Sequence, residues 1–361
     1  MKVIILANND IGLYNFRKEL LGELINKNHQ VIISLPNGER VDDLIRMGCN
    51  YHKTEIERRS MNILKDLKII REYVCLIKKE RPDYVLTYTI KPNIYGGLAS
   101  RFCKVKYIST ITGLGTAFQK PGLLKLLIIK LYKFALKRAN AIVFENTTNL
   151  KVFVDHCIIP AEEAVLVNGA GVNIEEYRYS PMKFDEPLRF LFIGRIMAEK
   201  GINEFFKAAK RLKTENQYNV EFDVLGFFED NYKEQIEELD ESGIIHYYGF
   251  QKDVKSYIEK AHCVVLPSYH EGMSNTLLES AAMGRPIIAS DIPGCREAVL
   301  DQQSGYLCKA KDSNDLYDKM IQYILLSKDQ RLEMGKKSRE HIEKNFDREA
   351  VVDKILSLMS R

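Results

Sequence analysis

Three different local patterns follow one another in residues 188–226, and together they indicate the fold class. The segment contains LRFLFIGR (188–195), EKGINEFFKAAKRLKTE (199–215) and VEFDVLG (220–226). The first and third are short apolar runs rich in aromatic and branched residues, which is typical of buried strands. The middle one has apolar residues at helical spacing. Strand, helix and strand in this order predict a βαβ unit of a parallel sheet.

The same alternation fills the first half of the chain. It begins with KVIILA (2–7) and QVIISL (30–35) on either side of a helical pattern, and it continues through YVLTYT (84–89), KYISTIT (106–112) and AIVFEN (141–146). Because strands alternate with helices, we expect a parallel sheet covered by helices on both faces.

Two domains are expected, since 361 residues exceed the size at which a single core usually stops growing. A stretch near 175–188 contains two prolines and no apolar period, which indicates a linker. We therefore predict an α/β protein with Rossmann-like domains over 1–175 and 176–346, facing each other across a cleft. The last helix, within 347–361, is expected to pack back on the first domain.

The composition is that of a soluble globular protein, with 45% hydrophobic and 28% charged residues. The seven cysteines are scattered and form no Cys-x-x-Cys pair, which favours reduced thiols over a disulfide framework or a structural zinc site. No window approaches eighteen apolar residues without charge. We expect a cytoplasmic protein.

Ligands of open parallel sheets bind beyond the carboxyl ends of the strands, so the loops there are the candidate sites. The first of them (8–14) contains one glycine, Gly12, and neither domain starts with G-x-G-x-x-G. A nicotinamide dinucleotide is therefore unsupported, and a Walker A motif is absent from the sequence. Gly12 is compatible with a tight turn or with close approach of a ligand to the backbone.

The loop GRIMAEKG (194–201) follows a predicted strand and contains Arg195 and Lys200. Two basic residues in a loop are often only solvated. Their position beyond a strand end favours binding of an anionic group, and the arginine fork suits phosphate oxygens.

The stretch HEGMSNTLLES (270–280) places two carboxylates, Glu271 and Glu279, around the start of a short helix. Ser274 or Asn275 is the expected N-cap, and Gly284 the expected end. A helix N-terminus attracts phosphate, whereas carboxylates accept hydrogen bonds from vicinal hydroxyls. A nucleotide-sugar presents both kinds of group, because its diphosphate lies between the hydroxyls of the sugar and those of the ribose.

Five segments carry a resemblance to a known family. GRIMAEKG (194–201), YYGFQKDV (247–254) and the stretch from PSYHEG to REAV (267–299) resemble the retaining glycosyltransferases of family 4, which have the GT-B fold. YTIKPNIYGGLAS (88–100) and TGLGTAF (112–118) resemble the subgroup that extends lipid-linked oligosaccharides for capsule, O-antigen or glycan assembly.

The resemblance implies a role for each matching residue. Arg195 and Lys200 would bind the donor diphosphate and stabilise the leaving nucleotide, as fixed cations do for developing charge. Glu271 would bind hydroxyls of the donor sugar, and Glu279 those of the ribose. The remaining donor contacts would come from the base-binding side chains and from the backbone that holds sugar and phosphate: Tyr248 and Phe250, and Gly272, Met273, Ser274, Asn275 and Thr276.

The resemblance also implies transfer with retention of anomeric configuration and without a metal or other cofactor; the sequence contains no Asp-x-Asp. On the acceptor side, many family members place a histidine or an acid in an N-domain loop. This chain has Thr112 there, and Lys91 is the nearest basic candidate.

The segment PGLLKLLIIKLYKFALKRAN (121–140) belongs to a stretch, 84–144, with ten basic residues and no acidic residue. It is either a sheet-covering helix with a charged outer face or a helix that lies on a membrane surface. Anionic headgroups attract basic residues by about 1 kcal/mol each. We predict that 120–138 contacts the inner face of the cytoplasmic membrane. Nucleic acid is not favoured, since no nucleic-acid-binding module is recognisable.

These observations predict a hexosyltransferase that moves a hexose or N-acetylhexosamine from a UDP-sugar to a polyprenyl-diphosphate-linked saccharide. One alternative is a UDP-sugar 2-epimerase of the same fold, which needs no acceptor. The other is a non-catalytic sugar-nucleotide-binding partner, which the presence of Arg195, Lys200, Glu271 and Glu279 disfavours.

Overall fold

The computed structural model describes residues 1–56, 63–114, 118, 122–184, 187–215 and 217–360. The chain forms two compact units. Unit 1 consists of Met1–Ala170 with Glu349–Arg361, and unit 2 of Gly171–Arg348.

The described strands of unit 1 form one parallel sheet with the order β3-β2-β1-β4-β5-β6-β7. The strands are β1 Lys2–Leu6, β2 Gln30–Leu35, β3 Asn50–Lys53, β4 Tyr84–Tyr88, β5 Lys106–Ile111, β6 Ala141–Phe144 and β7 Ala164–Leu166. The helices are α1 Asp10–Asn26, α2 Val41–Arg46, α3 Ile63–Glu80, α4 Ile90–Cys103, α5 Leu123–Leu136 and α6 Thr147–Asp155.

Strand β1 shows why this sheet is covered on both faces. Val3 and Ile5 lie in one hydrophobic cluster and Ile4 and Leu6 in another. Successive side chains of a strand point to opposite faces, so a continuous apolar run supplies two cores.

Unit 2 repeats the architecture with the parallel strand order β10-β9-β8-β11-β12-β13. Its strands are β8 Leu188–Ile193, β9 Val220–Leu225, β10 His246–Tyr247, β11 Cys263–Leu266, β12 Ile287–Ser290 and β13 Gly305–Cys308. Its helices are α7 Ile202–Glu215, α8 Lys233–Glu241, α9 Lys255–Lys260, α10 Asn275–Ala282, α11 Ser313–Ile324 and α12 Lys328–Asn345. The predicted pair of Rossmann-like halves is confirmed.

The last helix, α13 (Arg348–Met359), returns to unit 1. Its buried apolar residues belong to the same cluster as Val3 and Ile5: Val351, Val352, Ile355, Leu358 and Met359. Before it, the Val172 amide donates to Phe346 O (2.8 Å), and the Arg348 amide donates to Val172 O (3.1 Å).

A buried ion pair ties α1 to the end of β6 in unit 1. The Arg17 guanidinium donates to the Glu145 carboxylate, and both side chains are less than a tenth exposed. Arg17 also lies 4.7 Å from the centre of the Tyr88 ring. Burial alone would lower the pKa of Arg17, but the charge of Glu145, with a smaller effect from Tyr88, outweighs it, and this pKa is raised.

Within the described part of the chain, no helix is long and apolar enough to cross a membrane.

Candidate functional site

Glycines bring the loops at the carboxyl ends of three neighbouring strands of unit 2 close together. The Gly226 amide donates to Gly249 O (2.9 Å), and the Gly194 amide to Leu225 O (3.0 Å). A Cβ on Gly226, whose φ is +156°, would overlap the Gly194 carbonyl oxygen. A side chain there would force apart the loops that follow β8 and β9.

Arg195 follows the end of β8 and lies in this group of loops. Its guanidinium lies 3.5 Å from the Glu229 carboxylate, and its side chain is 42% exposed. One carboxylate cannot occupy all five N–H donors of a guanidinium. Arg195 therefore retains donors that face solvent.

Lys200 and Glu271, predicted to bind the diphosphate and the sugar of the donor, are directly paired. The Lys200 ammonium donates to Glu271 Oε1, and the two side chains are 17% and 10% exposed. The Ser268 hydroxyl donates to the same oxygen at 2.8 Å. Burial, with a smaller effect from Glu271, raises the pKa of the neighbouring Cys295 thiol far above its usual range, so this thiol stays protonated.

Backbone packing holds Lys200 beside Glu271. The Tyr269 amide donates to Glu199 O at 2.8 Å. Gly201 has φ +73°, and a Cβ there would overlap the Pro267 carbonyl oxygen. The loops after β8 and β11 are thus fixed to each other.

The loop that follows β12 contacts the segment that contains Glu271. The Ser274 amide donates to Gly294 O (2.9 Å), and the Gly294 amide donates to Glu297 Oε2 (2.7 Å). A Cβ on Gly294, whose φ is +87°, would lie 2.6 Å from Gly272 O. Any other residue at position 294 would therefore displace the segment that contains Glu271.

Helix α10 starts at this segment, as the sequence predicts. Ser274 occupies the N-cap position, but its side chain makes no capping hydrogen bond. The amides of Asn275 and Thr276 donate to no acceptor among the described residues. Free amides at a helix N-terminus are suited to anion binding. Gly284, with φ +78°, ends the helix as predicted.

Glu279 lies on α10 and is partly buried. The Tyr177 hydroxyl forms a hydrogen bond with its carboxylate, and burial followed by the charge of Glu279 raises the pKa of Tyr177. Tyr177 belongs to the stretch that the sequence predicts to be a linker. Nothing in the local sequence marks this contact, because the partners are far apart along the chain.

The two predicted base-binding residues differ in their surroundings. The Tyr248 hydroxyl donates to Asp223 Oδ1 (3.3 Å), and burial raises the pKa of Asp223. Phe250 is 62% exposed, and its ring centre lies 6.0 Å from that of Phe227, which is 46% exposed. The two exposed rings meet edge to face, at 70° between their planes, and each leaves aromatic surface open to a base. No sequence motif marks Phe227.

Gly12 lies in a helix rather than in the predicted loop. Helix α1 begins at Asp10, and the Gly12 amide donates to Asn9 Oδ1 at 2.6 Å. A capping asparagine explains the early start. The Gly12 amide is therefore already used within the fold.

Lys91, the candidate acceptor residue, forms an ion pair with Asp66 of α3 at 2.9 Å, and both side chains are less than a fifth exposed. Thr112 is half-buried and directly follows β5. Part of its motif, 115–117, lies outside the described residues.

Thr89 at the end of β4 has an unusual backbone. Its φ of +72° and ψ of 166° fall in a region that is essentially restricted to glycine and costs about 1–3 kcal/mol. Its buried Oγ1 has no hydrogen-bond partner among the described residues. The sequence contains no signal for this conformation.

Helix α5 combines features of both interpretations of the basic segment. Tyr132, Ala135 and Leu136 are buried against unit 1. The apolar residues that it exposes are Leu123 (87%), Leu124 (36%), Leu126 (57%), Leu127 (52%) and Phe134 (60%). Residues 120 and 121 of the predicted surface lie outside the described residues.

Within the described residues, no group of three or more His, Cys, Asp or Glu side chains is arranged to hold a metal ion.

Two family models match the chain. Residues 173–341 match the model of glycosyl transferases group 1, and residues 2–146 match the glycosyl transferase 4-like model. Together they span most of both units.

Two curated relatives are bacterial enzymes. The N,N'-diacetylbacillosaminyl-diphospho-undecaprenol alpha-1,3-N-acetylgalactosaminyltransferase of Campylobacter jejuni is 26% identical over 378 residues, covering 100% of this chain and 99% of the relative. The UDP-Gal:alpha-D-GlcNAc-diphosphoundecaprenol alpha-1,3-galactosyltransferase of Escherichia coli is 25% identical over 332 residues, covering 83% and 81%.

Among solved structures, Anabaena HepE in complex with UDP and glucose superimposes with a TM-score of 0.81 at 14% identity, covering 100% of this chain and 99% of that one. This likeness shows the fold.

Proposed function

Since the chain belongs to the family 4 glycosyltransferases, enzymes with the GT-B fold, we propose that it transfers a hexose or N-acetylhexosamine from a UDP-sugar to a polyprenyl-diphosphate-linked saccharide. This reaction would serve the synthesis of a surface polysaccharide or glycan. The names of both relatives describe acceptors in which a sugar is joined to undecaprenol through a diphosphate, and one also names a UDP-sugar.

The observation that carries the proposal is the arrangement of Lys200, Glu271 and the start of α10. The Lys200 ammonium, from the loop after β8, contacts the Glu271 carboxylate, and the free amides of Asn275 and Thr276 follow Glu271 in its own segment. Cations and amides suit a diphosphate, and the carboxylate suits sugar hydroxyls.

In the proposed reaction, the bond between C1 of the donor sugar and the diphosphate oxygen breaks. The acceptor oxygen bonds to C1 on the same face, and its proton passes to the departing phosphate oxygen, so configuration is retained. Lys200, Arg195 and the α10 amides stabilise the charge that develops on the diphosphate. Unit 1 would bind the acceptor, with Thr112 and the strained Thr89 at the carboxyl edge of its sheet.

Glu279→Gln is expected to weaken UDP binding about tenfold, because a hydrogen bond to a charged group contributes about 1.5–3 kcal/mol. The amide keeps the size of the side chain and a partner for Tyr177 but loses the charge. Calorimetric titration with UDP measures the change. Glu241→Gln, at an exposed position of α8, is the matched control. Unchanged UDP affinity in Glu279→Gln would refute the ribose role.

We further propose that the exposed leucines of α5 enter the cytoplasmic leaflet of the membrane. Replacing Leu123, Leu126 and Leu127 with Gln should lower the fraction bound to phosphatidylglycerol-containing vesicles by at least about tenfold, since burial of each leucine contributes about 1.5–3 kcal/mol. Vesicle sedimentation measures the bound fraction. Leu325→Gln, equally exposed on unit 2 (68%), should bind as the wild type does. Equal binding of the α5 variant would contradict the proposal.

Catalysis without a metal ion is also part of the proposal, because side-chain cations and amides are assigned to the leaving diphosphate. The turnover rate in EDTA should then stay within about twofold of the untreated rate. Complete loss in EDTA, with recovery on addition of Mg²⁺, would overturn this part.

The transfer itself is tested by UDP release with and without the lipid-linked acceptor. Formation of an epimer from the UDP-sugar alone would point to the 2-epimerase reaction instead.

A further inference from the structure

Unit 1 contains an open cavity of about 690 Å³ that the proposed transfer does not use. It lies between the C-terminal half of α5 and the segment 154–163 at the end of α6. Its volume falls within the range of about 300–1,000 Å³ that is usual for small-molecule sites.

Charge is distributed unevenly around this cavity. Lys130, Lys133 and Lys137 line it from one face of α5, and Glu163 is the single carboxylate in its lining. Their spacing of three and four residues places the lysines on the same side of the helix. Among the described residues, none of the three ammonium groups forms an ion pair. With three lysines and one glutamate among its described lining residues, the cavity carries a net positive charge.

The wall behind the lysines is apolar. It includes Val154, Ile158 and Ile159, of which the two isoleucines are buried at about 5% exposure. A basic rim over an apolar wall fits an amphiphile with an anionic head and a hydrocarbon chain. Free phosphate would contact only exposed lysines, and such contacts contribute little in water.

The position of the cavity separates it from the reacting centre. Helices of a parallel βαβ fold run opposite to its strands, so the end of α5 lies near the amino edge of the sheet. Catalytic ligands bind at the carboxyl edge. The reacting diphosphate of a lipid-linked acceptor belongs at that other edge, about 20 Å away along a helix of 14 residues.

We propose that this cavity binds one anionic glycerophospholipid of the membrane, with its phosphate against Lys130, Lys133 and Lys137 and an acyl chain against Val154 and Ile158. This proposal rests on the proposed function in one respect: the protein works at a membrane, and the membrane supplies the lipid. Together with the exposed leucines at the other end of α5, a bound lipid would hold the helix flat on the bilayer.

A cysteine in the lining makes the proposal testable without activity. Cys157 is exposed and lines the cavity, whereas Cys75 is exposed on α3 and does not. Maleimide labelling of each thiol is quantified by peptide mass spectrometry at increasing concentrations of short-chain phosphatidylglycerol. The lipid is kept below its critical micelle concentration. Phosphatidylcholine of equal chain length, inorganic phosphate and a polyprenyl phosphate are the other ligands.

We expect saturable protection of Cys157 by phosphatidylglycerol, about tenfold at saturation, with Cys75 unchanged and with phosphate ineffective. Changing Lys130, Lys133 and Lys137 to Gln should abolish the protection. Changing the exposed Lys207 and Lys210 of α7 to Gln should not.

The proposal is overturned by absence of protection, by equal protection of both thiols, by equal protection by phosphatidylcholine, or by protection by phosphate alone. Stronger protection by the polyprenyl phosphate than by phosphatidylglycerol would assign the cavity to the acceptor lipid instead. A protein that shows the expected protection but transfers no sugar would contradict the proposed function and leave the lipid site standing.

Discussion

Lys200→Met is expected to lower kcat by about 10²–10³-fold, the loss typical when one preorganised group that stabilises developing negative charge is removed. The ammonium is held beside Glu271 by packed backbone, so it needs no rearrangement as charge builds on the leaving diphosphate. The KM for the UDP-sugar should change much less than kcat, because the interaction strengthens in the transition state. Initial rates of UDP release give both constants.

Two further variants make this prediction specific. Lys210→Met, at an exposed position of α7, should keep the wild-type kcat. Methionine at 200 leaves the Glu271 carboxylate without its ammonium, so Lys200→Met with Glu271→Gln should lose less than the product of the two single losses. A kcat within about threefold of the wild type in Lys200→Met would contradict the assigned role.

Arg17→Met is expected to destabilise unit 1 by about 3–5 kcal/mol, because it leaves the buried Glu145 carboxylate without its cation. The loss of the contact with the Tyr88 ring adds to the effect. Since the chain has two units, unfolding need not be two-state. Hydrogen exchange resolved by peptide therefore measures the change, and the loss of protection should be confined to unit 1.

A control variant and a double variant separate the effect of the lost charge from the effect of lost packing. Arg46, whose side chain is 75% exposed, can become methionine at a cost below about 0.5 kcal/mol. Arg17→Met combined with Glu145→Leu should recover much of the lost stability, because an apolar pair of similar volume replaces the ion pair. Equal protection of unit 1 in the wild type and in Arg17→Met would show that the pair contributes nothing.

The sequence was sufficient where structure is set by local pattern. The apolar runs at 188–195 and 220–226 became β8 and β9, and the helical pattern between them became α7. The end of α10 at Gly284 follows from a glycine that adopts a left-handed conformation. The loop predicted at 8–14 is wrong from Asp10 onward, because Asn9 caps α1 and places Gly12 in the first helical turn. A role of Gly12 in donor binding stays a prediction.

Side-chain partners could not be predicted, since they depend on which loops the fold brings together. Asp66, which pairs with Lys91, and Tyr177, which bonds Glu279, lie in other parts of the sequence. Phe227 follows β9 without any motif, and only the structure pairs it with Phe250. The positive φ of Thr89 is imposed by the turn from β4 into α4, against the preference of a branched residue.

Transfer that depends on the acceptor is measured by following both products of the reaction. Radiolabelled UDP-sugars, tested one at a time, are incubated with the protein, with and without a polyprenyl-diphosphate-linked saccharide, and both UDP and label in the lipid extract are counted. We predict that one UDP-sugar gives equal amounts of UDP and lipid-bound label, and only when the acceptor is present. Release of UDP that is the same without acceptor, with no label in the lipid for any UDP-sugar, would contradict the claim.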